Sequence, residues 1–323
     1  DQGLRLVYAF NHEEALAAFT EASRLDPDAP MPYWGVALSL GPNINAGMDS
    51  KAESRAVEAV QKATARLAHA TPTERAYVEA LAARYSLKKA ATRKGKDEAY
   101  AKAMRRLAHE YPEDADAATI FAEALMVLRP WDYWRADGRP QPGTEEIVTT
   151  LEAVLQHQPD HPGACHYYIH AVEASPDPQR GLPCAMRLPS LMPGAGHLVH
   201  MPAHIYMRVG RYRDASERNA KAATVDHEYL LQHPLEGNYA SGYYAHNLHF
   251  LNASLVMEGR SAEALQAARD LLSKISVNEI VKEPSLEWYA PTVLLTMARF
   301  GQWGELIRQP PPPKELRYTT GLW

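Results

Sequence analysis

Histidines occur in this chain as closely spaced pairs. His166 and His170 stand four apart in CHYYIHAVE, His200 and His204 four apart in GHLVHMPAHIY, and His246 and His249 three apart in YAHNLHF. On a helix such residues share a face, so each pair can offer two imidazoles to one ion at the ~2.0–2.1 Å usual for nitrogen ligands. His197 and His204 are seven apart, about 10 Å along a helix at 1.5 Å per residue, too far for one coordination sphere. The spacing therefore predicts two ions, with the middle segment contributing to both. Glu173 and Glu123 are the only carboxylates that come forward as ligands, and an imidazole-rich set favours copper over the carboxylate-rich diiron and dimanganese centres. Zinc with an activated water and iron are the alternatives. Three imidazoles on each of two coppers suit dioxygen binding or oxidation. Tyr167, Tyr243 and Tyr244 flank these histidines and either take part in oxidation, bind an aromatic substrate or pack in the core. Asn247 is either a hydrogen-bonding partner for a ligand or solvated. HEXXH is absent, which disfavours a zinc metalloprotease of that kind, and no Ser-His-Asp order, glycine-rich phosphate loop or Cys-His pair stands out.

Helices must carry these side chains. Apolar and small residues recur at helical spacing almost throughout, and no convincing alternating strand is present, so the fold class is all-α. Ala15, Phe19 and Ala22 share a face ahead of Pro27; Tyr100, Met104 and Leu107 do so ahead of Pro112; residues 50–70 form an amphipathic helix with Ser50 as cap and Glu53 three residues on. Thr71-Pro72-Thr73-Glu74 starts a helix that reaches about Leu87. Pro202, between His200 and His204, is comfortable only in a first turn, which predicts a helix beginning near Val199 and leaves His197 on the preceding Gly194–Gly196 loop. Gly41, Pro42 and Gly47 make 41–49 a loop, in which Asn43 and Asn45 bond its backbone or face a cavity. Lys88 to Lys96 reads as a solvated loop, and 129–143, with two tryptophans, a tyrosine and three prolines, as a loop folding back over the core or forming one wall of a pocket. HPLEGNYASG reads as an insertion, and 232–240 as irregular or inserted.

The proline-terminated helices, the turn and helix of VGRYRDASERNAKAATVDHEYL, and the 34-residue offset that relates His166 to His200 and His170 to His204 resemble the tetratricopeptide-repeat family. The resemblance implies a superhelix of antiparallel helix pairs with loop insertions over 1–323, in a single solenoid: a less regular half 1–143, histidine-bearing repeats 144–275 and capping helices 276–323. It also implies that the first helix of each repeat lines a concave wall. His166, His200 and His249 then share one inward position, His170 and His204 the next, and His197 and His246 lie on the same stripe, continued by Glu173 and Met207. The expectation is that His166, His170, His200, His204, His246 and His249 converge in one cavity, with His197 the least secure. Ordinary family members bind peptides, so the histidine-rich face departs from the pattern.

Composition narrows the rest. With 323 residues and 46% hydrophobic side chains the chain can bury a core, and a formal net charge of −5 with interspersed signs argues against nucleic acid as a partner. No apolar run approaches the roughly 20 residues of a membrane span. Cys165 and Cys184 either pair across a helical hairpin or stay as reduced buried thiols. The chain opens at Asp1 without methionine, and a removed secretory signal would place it in the periplasm or outside the cell; otherwise it is cytoplasmic. Together these readings predict a metal-dependent oxidase or oxygenase acting with dioxygen on a small molecule. A non-catalytic metal carrier and a protein-interaction scaffold are the alternatives.

Overall fold

A computed structural model of the chain describes residues 1–48, 50–85, 92–233 and 239–323. Helix starts are fixed by side chains that take up the orphan N–H groups of a first turn. Asn11 accepts from Glu14 N–H, Thr92 from Gly95 N–H and Asp114 from Ala117 N–H, while Thr71–Glu74 and Ser276–Glu279 form reciprocal capping boxes. Pro30, Pro72 and Pro162 each occupy the first helical position, where their missing N–H costs nothing. No strand forms among the described residues, so the all-α class holds; an isolated antiparallel bridge joins Trp134 and Pro140. Contacts divide the chain into two units, Asp1–Leu191 and Met192–Trp323, a division that falls between the first two histidine pairs.

The first unit contains α1 (Gln2–Tyr8), α2 (His12–Leu25), α3 (Pro30–Ser39), α4 (Ser50–Thr64), α5 (Pro72–Arg84), α6 (Arg93–Glu110), α7 (Ala115–Val127), α8 (Thr144–His157), α9 (Pro162–Val172) and α10 (Leu182–Leu191). Neighbours in sequence pack as neighbours in space, α1 on α2, α2 on α3, α5 on α6, α6 on α7, α7 on α8 and α8 on α9. Fully buried alanines at Ala15, Ala56, Ala63, Ala117, Ala122 and Ala124 let the helices approach closely. The lysine-rich stretch differs from the solvated loop expected of it. Residues 86–91 lie outside the described ones, but α6 already begins at Arg93, because Lys96 finds Glu53 at 2.6 Å and Arg93 finds Asp97 at 3.1 Å. Glu53 is thereby an ion-pair partner of Lys96 and Arg93. In the 41–49 loop Asn43 Oδ1 accepts from the N–H groups of Asn45 and Ala46 at 2.8 and 2.9 Å, the backbone-bonding role. Cys165 and Cys184 are both buried free thiols; a hydrogen bond with Cys165, and then burial, hold the Cys184 thiol well above its ordinary pKa.

The second unit contains α11 (Gly196–His200), α12 (Pro202–Arg208), α13 (Tyr212–Gln232), a π-helical turn at Ala240–Tyr244, α14 (Ala245–Glu258), α15 (Ser261–Leu272), α16 (Val277–Lys282), α17 (Thr292–Arg299), α18 (Trp303–Leu306) and α19 (Arg317–Leu322). α11 and α12 both lie on α13, α13 on α14, and α14 on α15. Gly210 and Gly259 end α12 and α14 in left-handed conformation, φ 76° and 75°, so each helix reverses into the next within two or three residues. Part of the expected 232–240 insertion, 234–238, lies outside the described residues.

Candidate metal centre

In the second unit three histidines meet. α11 carries His200, α12 His204 and α14 His246, and their candidate ligand nitrogens all lie within 4.8 Å of one another. His200 Nε2 and His204 Nε2 are 2.9 Å apart, close to the separation of about 3 Å that two nitrogens take up on one ion. The ring centroids of His200 and His246 are 4.8 Å apart, and those of His204 and His246 5.7 Å. Phe250, one turn beyond His246, lies 4.6 to 4.9 Å from all three rings and gives the cluster an apolar side. His200 is fully buried and His204 nearly so. Such a set can share a proton across the 2.9 Å contact or direct its lone pairs at one cation.

Supporting contacts come from α13. Asn219 Oδ1 stands 2.6 Å from His200 Nδ1, Asn219 Nδ2 donates to Ser254 Oγ at 3.2 Å, and Ser254 Oγ donates to Phe250 O at 2.7 Å. Two turns along the same helix, Asp226 accepts from Tyr239 Oη at 2.8 Å and from Asn247 Nδ2 at 2.5 Å. Burial pushes the Asp226 carboxyl up to about 6 despite these two donors. Asp226 Oδ1 lies only 1.8 Å from where a Cβ on residue 196 would stand, so Gly196 is needed for the close approach.

The remaining expected residues of this unit fall around the cluster. His197 lies within α11, which starts three residues earlier than Pro202 suggested. Met201 keeps helical dihedrals ahead of the proline, so the chain is interrupted only in its hydrogen bonding. The His197 ring is 6.0 Å from His200 and 4.9 Å from Tyr243. His249 turns instead to Trp288 and Tyr289, 4.7 and 5.3 Å away, and burial there lowers its pKa to about 4. The triad takes His246 rather than His249, although both lie on α14 beyond the π-helical turn. Tyr244 packs into an apolar cluster with Leu248, Leu271, Ile280 and Leu316, a core role. Asn247 is fully buried and bonded to Asp226 rather than solvated, and Met207 lies on α12.

In the first unit His166 and His170 share a face of α9, ring centroids 4.9 Å apart and both buried. His166 Nδ1 donates to Tyr8 O at 2.6 Å, and His170 Nδ1 is 3.0 Å from Glu173 Oε1, a pattern that orients Nε2 as the lone-pair nitrogen. Phe10 and Trp131 are the two non-glycine residues with left-handed backbone among those described, φ 56° and 65°. Both place rings on His170, at 6.2 and 4.8 Å. Trp131 Nε1 donates to Ile44 O at 2.9 Å and Trp134 Nε1 to Ala171 O at 2.7 Å, so the aromatic loop is tied down over α9. Tyr167 packs between Tyr8, Phe10 and His166. Glu123, on α7, lines a small cavity with His12, Arg84 and Tyr167, and burial pushes its carboxyl up to about 7. Sequence reasoning missed Asn219, Ser254, Asp226 and Phe250. For Asn219, Ser254 and Asp226 the available signal was a polar residue in the middle of a predicted repeat helix, at positions that small or apolar side chains usually fill. Neither a protein-family model nor a curated protein matches the chain.

Proposed function

We propose that the chain is a metal-dependent oxidoreductase of tetratricopeptide-like architecture, a copper oxidase or oxygenase acting with dioxygen on a small molecule. His200, His204 and His246 are its principal ligands. The observation that carries this reading is the convergence of three imidazole nitrogens within 4.8 Å, two of them 2.9 Å apart, inside one unit. Three neutral nitrogen donors suit copper, with zinc and iron as the other occupants. His166 and His170, each with Nδ1 held by a fixed acceptor, are the candidates for a second ion. Bound copper would supply one-electron chemistry and a place for dioxygen. The protein's part is to hold the imidazoles, keep Phe250 against them and limit access of water. Burial of His200 and His204 also suits a protein that stores or carries the metal without turnover.

Elemental analysis of protein purified without an affinity tag tests the reading. Copper should be present or taken up stoichiometrically, and His200→Ala and His204→Ala should each lose it. No transition metal after reconstitution would end both the enzyme and the carrier readings. With copper bound, oxygen consumption with phenols or thiols that disappears in His200→Ala marks an enzyme; copper without consumption marks a carrier.

A further inference from the structure

We propose that Asn219 is a positioning residue that fixes the tautomer of His200 and so directs its Nε2 lone pair to the metal, an inference that rests on the metal reading above. A chain of committed protons leads to it. Phe250 O can only accept, and Ser254 Oγ lies 2.7 Å from it, so the serine proton is spent there. Toward Asn219, 3.2 Å away, Ser254 Oγ is left as an acceptor, and the group facing it must be the amide NH2. The oxygen and nitrogen of an isolated asparagine are interchangeable in placement, but here a backbone carbonyl two links away decides between them. Asn219 Oδ1 consequently faces His200 Nδ1 at 2.6 Å and can only accept, which puts the imidazole proton on Nδ1. A neutral imidazole protonated at Nδ1 carries its lone pair on Nε2, the nitrogen 2.9 Å from His204 Nε2.

Asn219 and Ser254 are both fully buried, so water does not compete for these bonds. The relay also crosses elements. Asn219 is on α13, His200 on α11, and Ser254 and Phe250 on α14, the helix that carries His246. One side chain thereby links the segments that supply two of the three ligands, the arrangement expected of a group that orients a metal-binding histidine.

Two measurements test the role. Nitrogen NMR of the metal-free protein reads the His200 tautomer directly, and anaerobic titration of copper(I) against a chromogenic chelator reads affinity. Asn219→Leu should lose the preference for Nδ1–H and weaken copper(I) binding ~10–100-fold. Asn219→Asp keeps an acceptor in the same place and should keep both the tautomer and the affinity. Ser254→Ala frees the amide to rotate and should give a mixed tautomer with an intermediate loss. An unchanged tautomer and affinity in Asn219→Leu would overturn the proposal, as would a folded Asn219→Asp that behaves like Asn219→Leu. Should Asn219→Leu fail to fold, Ser254→Ala decides: wild-type values there overturn it. If wild-type protein binds copper(I) no better than His200→Ala, the metal reading itself falls, and the NMR tautomer then judges the orientation of His200 alone.

Discussion

Gly196 and Asp226 form the tightest sterically determined contact around the histidines. A carboxylate oxygen already occupies the space a Cβ at 196 would need, 1.8 Å away. Gly196→Ala must therefore push Asp226 off Tyr239 and Asn247 and leave buried polar groups short of partners. Overpacking alone costs about 1–3 kcal/mol and an orphaned buried group adds a similar amount. Denaturant unfolding should show a loss of at least ~2 kcal/mol for Gly196→Ala, shrinking below ~1 kcal/mol when Asp226→Ala is already present, because the clash is then gone. Equal losses in both backgrounds would show that the contact is not the cause. The pair was invisible in the sequence: GAGHLVH reads as a flexible lead-in to the histidines, and nothing local ties residue 196 to residue 226.

At the scale of helices much could be read directly. The helix expected to start at Thr71–Glu74 does so, with a capping box between those two residues, and the helical apolar spacing is realised as helices; the Nε2 atoms of His200 and His204 lie 2.9 Å apart. What could not be read depended on partners far along the chain. Arg93 and Lys96 look like a solvated run until Glu53, about 40 residues earlier, neutralises them. His249 looks equivalent to His200 in repeat register, but its ring packs on Trp288 and Tyr289, about 40 residues further along the chain. Asn219, within SERNAKAAT, has the composition of an exposed face, and its burial follows from packing against two other helices. Pro202 was expected to delay the helix, yet Met201 is helical at φ −48° and ψ −37°. Its effect is thus a missing N–H and not a bend at that residue. Pro202→Ala should leave copper affinity within about twofold and change stability by less than ~1 kcal/mol, since the new N–H adds one intrahelical bond. A large fall in affinity, measured by the same chelator titration, would show that the break itself sets the histidine geometry.

Over the whole molecule, buried titratable groups set opposing pH dependences. His12 and His249 are lowered to about 4 by burial, while Glu123 is raised to about 7 and Asp226 to about 6. For the histidines the native state resists protonation, so stability is lost as pH falls from the unfolded value near 6.5 towards 4. The raised carboxyls act in the other direction: they favour the native state at low pH, and their contribution is lost as pH rises from the ordinary carboxyl range through 6 and 7. Between pH 4 and 6.5 the two slopes oppose each other, and the unfolding midpoint in urea should be flatter there than either class alone would give. Glu123→Gln removes one falling component. It should raise stability relative to wild type at pH 8 by on the order of 2 kcal/mol and have little effect at pH 4. A gain that is independent of pH would assign the effect to something other than the carboxyl proton.

The indole of Trp131, carried on a left-handed backbone, also makes the molecule its own sensor. Its ring meets His170 edge-on at 4.8 Å, and its Nε1–H is fixed on Ile44 O, so the fluorophore is held in one pose beside a candidate ligand. A paramagnetic or redox-active ion arriving at that imidazole would quench the emission at once. The fluorescence difference between wild type and Trp131→Phe then isolates this indole from the other five tryptophans of the chain. Loading of the α9 histidines can then be followed in real time without a label.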